Sequence, residues 1–189
     1  MDGSLQGKLL VAMPGIGDPR FDQAVIVMCL HTEEQAFGLV VNKPREELNL
    51  GAVLEHLGIE ADEKLAPRAV LDGGPVRPDR GYVLHSEDYR AEEATQPVAP
   101  GICLTATREV LESMAAGDAA PSRFVLALGC SGWQAGQLES EMRRNAWLIV
   151  EPDADDAIIF GDDHADKWSR AIKRLGFDPS QIAGDIGRA

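Results

Sequence analysis

Three arginines beside constrained turns are the residues of this chain best suited to chemistry. Arg77 and Arg80 belong to the stretch Gly73-Gly74-Pro75-Val76-Arg77-Pro78-Asp79-Arg80-Gly81-Tyr82-Val83-Leu84-His85-Ser86, and Arg20 follows Pro14-Gly15-Ile16-Gly17-Asp18-Pro19. Gly73 and Gly74 allow positive φ or a close backbone approach, and Pro75 and Pro78 fix φ. A stiff loop beside a strand is a favourable place for a ligand. Guanidinium groups hold carboxylates and phosphates through charge-assisted hydrogen bonds. The candidate ligand-binding residues are Arg20, Gly73, Gly74, Arg77, Asp79, Arg80 and His85, with Gly132, Trp133 and Gln137 from a second glycine-rich stretch. If the turns at 13–21, 73–81 and 129–137 lie side by side, the arginines meet Trp133 and the start of a helix. The ligand is then a small carboxylate or phosphate compound, with Trp133 covering its apolar part. The competing reading is structural: rigid turns, with Asp79 or Asp18 neutralising the arginines in local salt bridges.

Other chemistry does not assemble. Gly15-Ile16-Gly17 begins a dinucleotide fingerprint, but Arg20 fills the third glycine position. Gly129-Cys130-Ser131-Gly132 resembles a nucleophile elbow, but Trp133 stands where its last glycine belongs. Cys130 as a nucleophile needs a base such as His31 or His85, which the sequence does not place beside it. The acidic tract Glu151, Asp153, Asp155, Asp156, Asp162, Asp163, Asp166 lacks calcium-loop spacing, with Ala157 and Ile158 at key positions. No catalytic residue, cofactor or metal is assigned.

The elements that must position the candidates follow from pattern. Lys8 to Met13, Ala24 to Leu30 and Phe37 to Val41 read as strands, the second apolar on both faces. The short polar link Thr32 to Gln35 makes the last two a hairpin. Asn49 caps a short helix to Leu57, and Gly58 ends it. Val70-Leu71 and Gly81 to His85 are strands, and Glu87 to Pro100 a surface loop. Ile102 to Ala106 is a strand before a helix capped by Thr107 and stopped by Gly117. Arg123 to Leu128 is a strand, Gly129 to Trp133 a turn and Gln137 to Asn145 a helix. Trp147 to Val150 and Ala157 to Phe160 read as strands, and His164 to Leu175 as a helix with Trp168, Ala171, Ile172 and Leu175 on one face. This is α+β: one compact domain over 1–189, with a mixed, mostly antiparallel sheet.

The 31 acidic and 18 basic residues give a formal charge of -13. That disfavours phosphate backbones and anionic lipid alike, because such binding is driven by Lys and Arg replacing counterions. Cys29, Cys103 and Cys130 form no metal or disulfide spacing. Cys29 and Cys103 sit in apolar runs, as small core residues do. Reduced cysteines, a polar N-terminus and no apolar run near the ~20 residues of a membrane span give the expectation of a cytoplasmic protein.

The motifs together carry a resemblance. Met13-Pro14-Gly15, Asp18-Pro19-Arg20-Phe21, Cys29-Leu30-His31 and Gly38-Leu39-Val40-Val41-Asn42-Lys43-Pro44 resemble the first half of the YqgE/AlgH family. Gly73-Gly74-Pro75-Val76 with Asp79 to Ser86 is similar to its most distinctive block. Gly132-Trp133, Gly136-Gln137-Leu138-Glu139 and Asn145-Ala146-Trp147-Leu148 match a third. Cys130 departs from the pattern, where similar members often carry an aromatic residue. The resemblance implies a compact α+β domain with a barrel-like, partly split sheet surrounded by helices. It implies a bacterial cytosolic protein, and some members are labelled transcriptional regulators; it brings no catalytic residues. The expected function is an indirect regulatory role through a protein or a small-molecule partner, without autonomous DNA binding and without a membrane. The alternative is a small-anion-binding protein or an enzyme using the motif arginines.

Overall fold

Strands that are apolar on both faces need cover on both sides, and the fold supplies it. The computed structural model describes residues 3–117, 119–153 and 157–184. The elements in chain order are β1 (Leu9–Ala12), β2 (Val25–His31), β3 (Gln35–Val40), β4 (Pro44–Asn49), α1 (Leu50–His56), β5 (Ala69–Asp72) and β6 (Val76–Ser86). Then come β7 (Thr95–Ala99), β8 (Ile102–Thr105), α2 (Arg108–Ala116), β9 (Phe124–Gln134), α3 (Gln137–Arg143), β10 (Trp147–Val150), α4 (Ala157–Phe160), α5 (Lys167–Arg174) and α6 (Pro179–Gly184). The sheet runs β10-β1-β2-β3-β9-β6-β8-β7, with β5 joining β9 in parallel and β4 joining β5. It curls into an antiparallel half-barrel, and its N-terminal approach touches the far end, where Gln6 Nε2 donates to the Pro97 carbonyl.

Alternation sorts the side chains by face. Leu9, Val11, Val25, Val27, Leu39 and Leu84 fill the concave side, closed by α4 and α5. Leu10, Ala12, Ile26, Met28 and Val40 face outward and meet Leu138 of α3. Val83 and Leu126 form a third cluster with Leu50 and Leu54 of α1 and Val110 and Met114 of α2. Each such buried aliphatic side chain contributes about 1.5–3 kcal/mol. Two polar tethers fix α5: Lys167 Nζ donates to the carbonyls of Val41 (2.8 Å) and Ile159 (3.0 Å), and Trp168 Nε1 to that of Ala12 (2.8 Å).

Strand β9 organises the sheet. Its first half lies between β5 and β6; its second half pairs with β3, Gly38 opposite Ser131 and Ala36 opposite Trp133. β5 must therefore leave β9 where β3 begins to pair with it, and Gly73-Gly74 is that exit. The Gly73 N–H donates to Leu128 and its carbonyl accepts from Val40 N–H and Ser131 Oγ. A Cβ on Gly73 would run into the Gly129 carbonyl oxygen, and one on Gly74 (φ 142°) into the Cys130 backbone.

Three local expectations are corrected. Gly129 to Trp133 is no turn but the second half of β9: Gly129, at φ 77°, permits close backbone approach rather than chain reversal. Ala157 to Phe160 is a helix, because a four-residue apolar run carries no period that separates the two states. Within 87–100, Thr95–Ala99 forms an edge strand on β8, where Pro97 is tolerated.

Candidate functional site

The chain leaving β1, the end of β9, α3 and the start of β10 enclose a cleft of about 440 Å³. Met13 N–H donates to the Ala146 carbonyl (2.9 Å), which ties the first loop to the fourth element. On its floor Trp133 and Trp147 pack edge to face (6.1 Å between centroids), and Phe21 meets Trp147 at 5.7 Å. Both indole N–H groups donate to one carboxylate oxygen, Glu141 Oε2, while Gln137 Nε2 donates to Oε1 at 3.1 Å. Spacing i, i+4 on α3 puts Gln137 and Glu141 on one face. Arg20 stands at the rim but is already matched. Asp18 caps the short 3-10 turn Pro19–Phe21 and pairs with the Arg20 guanidinium at 2.7 Å. That hydrogen bond holds the Asp18 carboxyl below its usual range and raises Arg20.

Through the wall made by Gly132, Trp133 and Gln137 lies the second cavity, the open mouth of the half-barrel, about 840 Å³. Phe37, Tyr82 and Leu104 line its apolar depth; Arg77 and Arg80 stand at its edge. The ladder explains their position. Val76 pairs with Cys130 and Gly81 with Leu128, so residues 77–80 bulge out opposite Gly129 alone. Arg77 takes φ 48°, a left-handed conformation uncommon for a residue with a Cβ. The Arg80 guanidinium lies 5.6 Å from the Tyr82 ring centre. Burial raises the Tyr82 hydroxyl above its ordinary value, its hydrogen bond with Cys130 adds to this, and Arg80 and Arg77 pull it back. Among the described residues neither arginine has a carboxylate within ion-pair distance.

The ten candidates therefore separate. Gly132, Trp133 and Gln137 border both cavities, Arg20 only the cleft, Arg77 and Arg80 only the mouth. Asp79 faces a third cavity across β6. Gly73 and Gly74 are buried at the strand junction. His85 is fully buried, its Nδ1–H donating to the Ser86 carbonyl and its Nε2 accepting from Thr105, which in turn bonds Thr95. Burial lowers its pKa and keeps the ring neutral. His31 is committed as well: Nδ1 accepts the Leu5 N–H, so Nε2–H donates to Glu139. Neither ring directs a free nitrogen at Cys130, which is itself buried. Asp155 and Asp156 of the acidic tract lie outside the described residues.

The profile of AlgH-like proteins matches residues 9–180. The chain belongs to the YqgE/AlgH family. A UPF0301 protein of Ruegeria pomeroyi is 47% identical over 186 residues, covering 98% of this chain and 99% of the relative. One from Caulobacter vibrioides is 46% identical over 185 residues, covering 98% and 94%. The solution structure of AlgH from Pseudomonas aeruginosa superposes with TM-score 0.79 at 36% identity, over 100% of this chain and 98% of that one. A Corynebacterium diphtheriae protein shares the fold alone, at TM-score 0.70 and 18% identity over 96% and 91%. The sequence blocks that carry the family likeness supply every residue of the cleft except Ile16, Glu141 and Arg144. Glu141 escaped the sequence reading, although its i+4 spacing from Gln137 and the two flanking tryptophans signal a carboxylate with donors around it. Tyr82 was readable as an inward residue of β6 by alternation alone.

Proposed function

We propose that this protein is a regulatory protein that works indirectly, by binding a small carboxylate or phosphate compound at the barrel mouth. One observation carries the reading: Arg77 and Arg80, with no carboxylate within ion-pair distance among the described residues, border a largely apolar cavity in a chain of formal charge -13. Arginine forks suit oxyanions, and Phe37 and Tyr82 offer the ligand's apolar part a ring-lined wall. Trp133 serves as the partition behind them rather than as a lid, since it is buried and bonded to Glu141. The cleft on the other side of that partition supplies the surface through which occupancy of the mouth reaches a protein partner. No helix among the described residues is long and apolar enough to cross a membrane.

A thermal-shift titration with phenyl phosphate and with benzoate tests the reading, because a ligand that binds only the folded state raises Tm. Stabilisation that disappears in Arg77→Ala and Arg80→Ala but persists in Arg20→Ala is expected. Equal loss in all three variants, or no stabilisation of the wild type by any anion of this class, overturns it.

A further inference from the structure

The third cavity, about 680 Å³, opens on the opposite side of the bulged segment from the mouth. Leu48, Val53, Leu57, Leu111 and Leu128 line it, and no Phe, Tyr or Trp does so among the described residues. Leu48, Val53, Leu57 and Leu128 are only half-buried, so the groove keeps aliphatic surface in contact with water. A concave aliphatic lining with a few polar groups at its edge suits a small apolar ligand. Arg45, His56 and Arg108 stand on its rim, and among the described residues Asp79 is the one acid in its lining. The ion pairs of these arginines face solvent: Arg45 is 3.8 Å from Asp72, and Arg108 pairs with Glu112 at 2.6 Å in an exposed i, i+4 contact. Pairs of this kind exchange readily for a bound anion.

The two cavities share Ala106, Thr107 and the strand between them. Within 77–80 the side chains divide: Arg77 and Arg80 border the mouth, Pro78 and Asp79 border the groove. Among the described residues 77–80 have no ladder partner and lie opposite Gly129, and Arg45 Nη2 donates to the Pro78 carbonyl at 3.3 Å. A group that engages Arg45 therefore acts directly on the backbone that carries Arg77.

We propose that this groove is a second ligand site, for a monoanion with a short acyl chain, and that its occupancy repositions Arg77 and Arg80. The aliphatic lining selects an acyl chain over an aromatic ring, and Arg45 with Arg108 holds the carboxylate. The coupling rests on the mouth reading for its functional meaning; the site itself does not.

The test is an NMR titration of the full chain with octanoate. Saturable shifts are expected at the methyl groups of Val53, Leu57 and Leu111, accompanied by shifts of the Arg77 and Arg80 amides. The affinity should fall about tenfold in Arg45→Ala/Arg108→Ala, and the single variant at the exposed Arg108 should lose part of it with an unchanged Tm. Val53→Glu, which sets a carboxylate in the groove, should abolish the shifts. Silent groove methyls, shifts confined to Leu30 and Leu104 in the mouth, or an affinity indifferent to these variants would overturn the site. Groove shifts that leave Arg77 and Arg80 unmoved would overturn the proposal as stated. The mouth reading fails by a separate observation, phenyl phosphate binding that ignores Arg77 and Arg80.

Discussion

Trp133 and Trp147 donate their indole N–H groups to the same atom, Glu141 Oε2, at 2.9 and 2.8 Å. One carboxylate on α3 thus fastens the end of β9 to the start of β10 and forms the floor of the cleft. Removing it strands two donors at once. Glu141→Ala should cost about 2–6 kcal/mol, since each of the two unsatisfied donors costs about 1–3 kcal/mol. Urea denaturation measures this; a loss under about 0.5 kcal/mol would show that water replaces the carboxylate.

Gly74 and Gly132 stand in one motif-rich region but should respond in opposite ways. Gly74→Ala forces a Cβ into the Cys130 backbone at φ 142° and should cost about 3 kcal/mol or more. Gly132 has negative φ, and the nearest atom to an added Cβ is Val76 Cγ2 at 3.6 Å. Gly132→Ala should stay within about 1 kcal/mol of wild type. Comparable Tm values for both variants would refute the strand-exit role of Gly74.

His85 should remain neutral at a pH where an exposed imidazole is half charged. Its pKa lies below 6.5, chiefly through burial, and His164 moves the same way. The unfolded chain then binds more protons near pH 6.5 than the folded one, so these groups stabilise fully above about pH 6.5 and their contribution falls as pH drops further. An NMR titration of the His85 ring that centres at or above 6.5 would contradict the buried hydrogen-bond chain through Thr105 and Thr95.

Sequence-specific DNA binding by the isolated protein is not expected, because two mouth arginines do not offset a charge of -13. A mobility-shift titration near 0.15 M salt should give no sequence-dependent complex below micromolar protein. A selective complex there would remove the indirect role.

Much of this was legible in residue pattern. The double-sided apolar run at 24–30 gave β2 its place inside the sheet, and Trp168, Ala171 and Ile172 marked the buried face of α5. Asn49 caps α1 through the Ala52 N–H at 2.9 Å, as its type and position predict. What failed to show was long-range. Gly129 looks like a turn because positive φ is what a turn needs, yet here it serves the crossing of β9 by the chain at Gly73-Gly74. The three arginines lie in or beside motif blocks, but the bulge after Val76 sets Arg77 and Arg80 on a different cavity from Arg20, and no local signal reports a register shift. His85 has the type of a catalytic residue, and only its neighbours across β8 show that it is a core hydrogen-bonding group.

The most direct measurement is calorimetric titration of phenyl phosphate into wild type, Arg77→Ala/Arg80→Ala and Arg20→Ala. The account predicts one saturable site in wild type and in Arg20→Ala, and affinity weakened about a hundredfold or more in the double variant, the loss of two charge-assisted contacts of about 1.5–3 kcal/mol each. Undiminished binding in the double variant, with its fold intact by Tm, would contradict it.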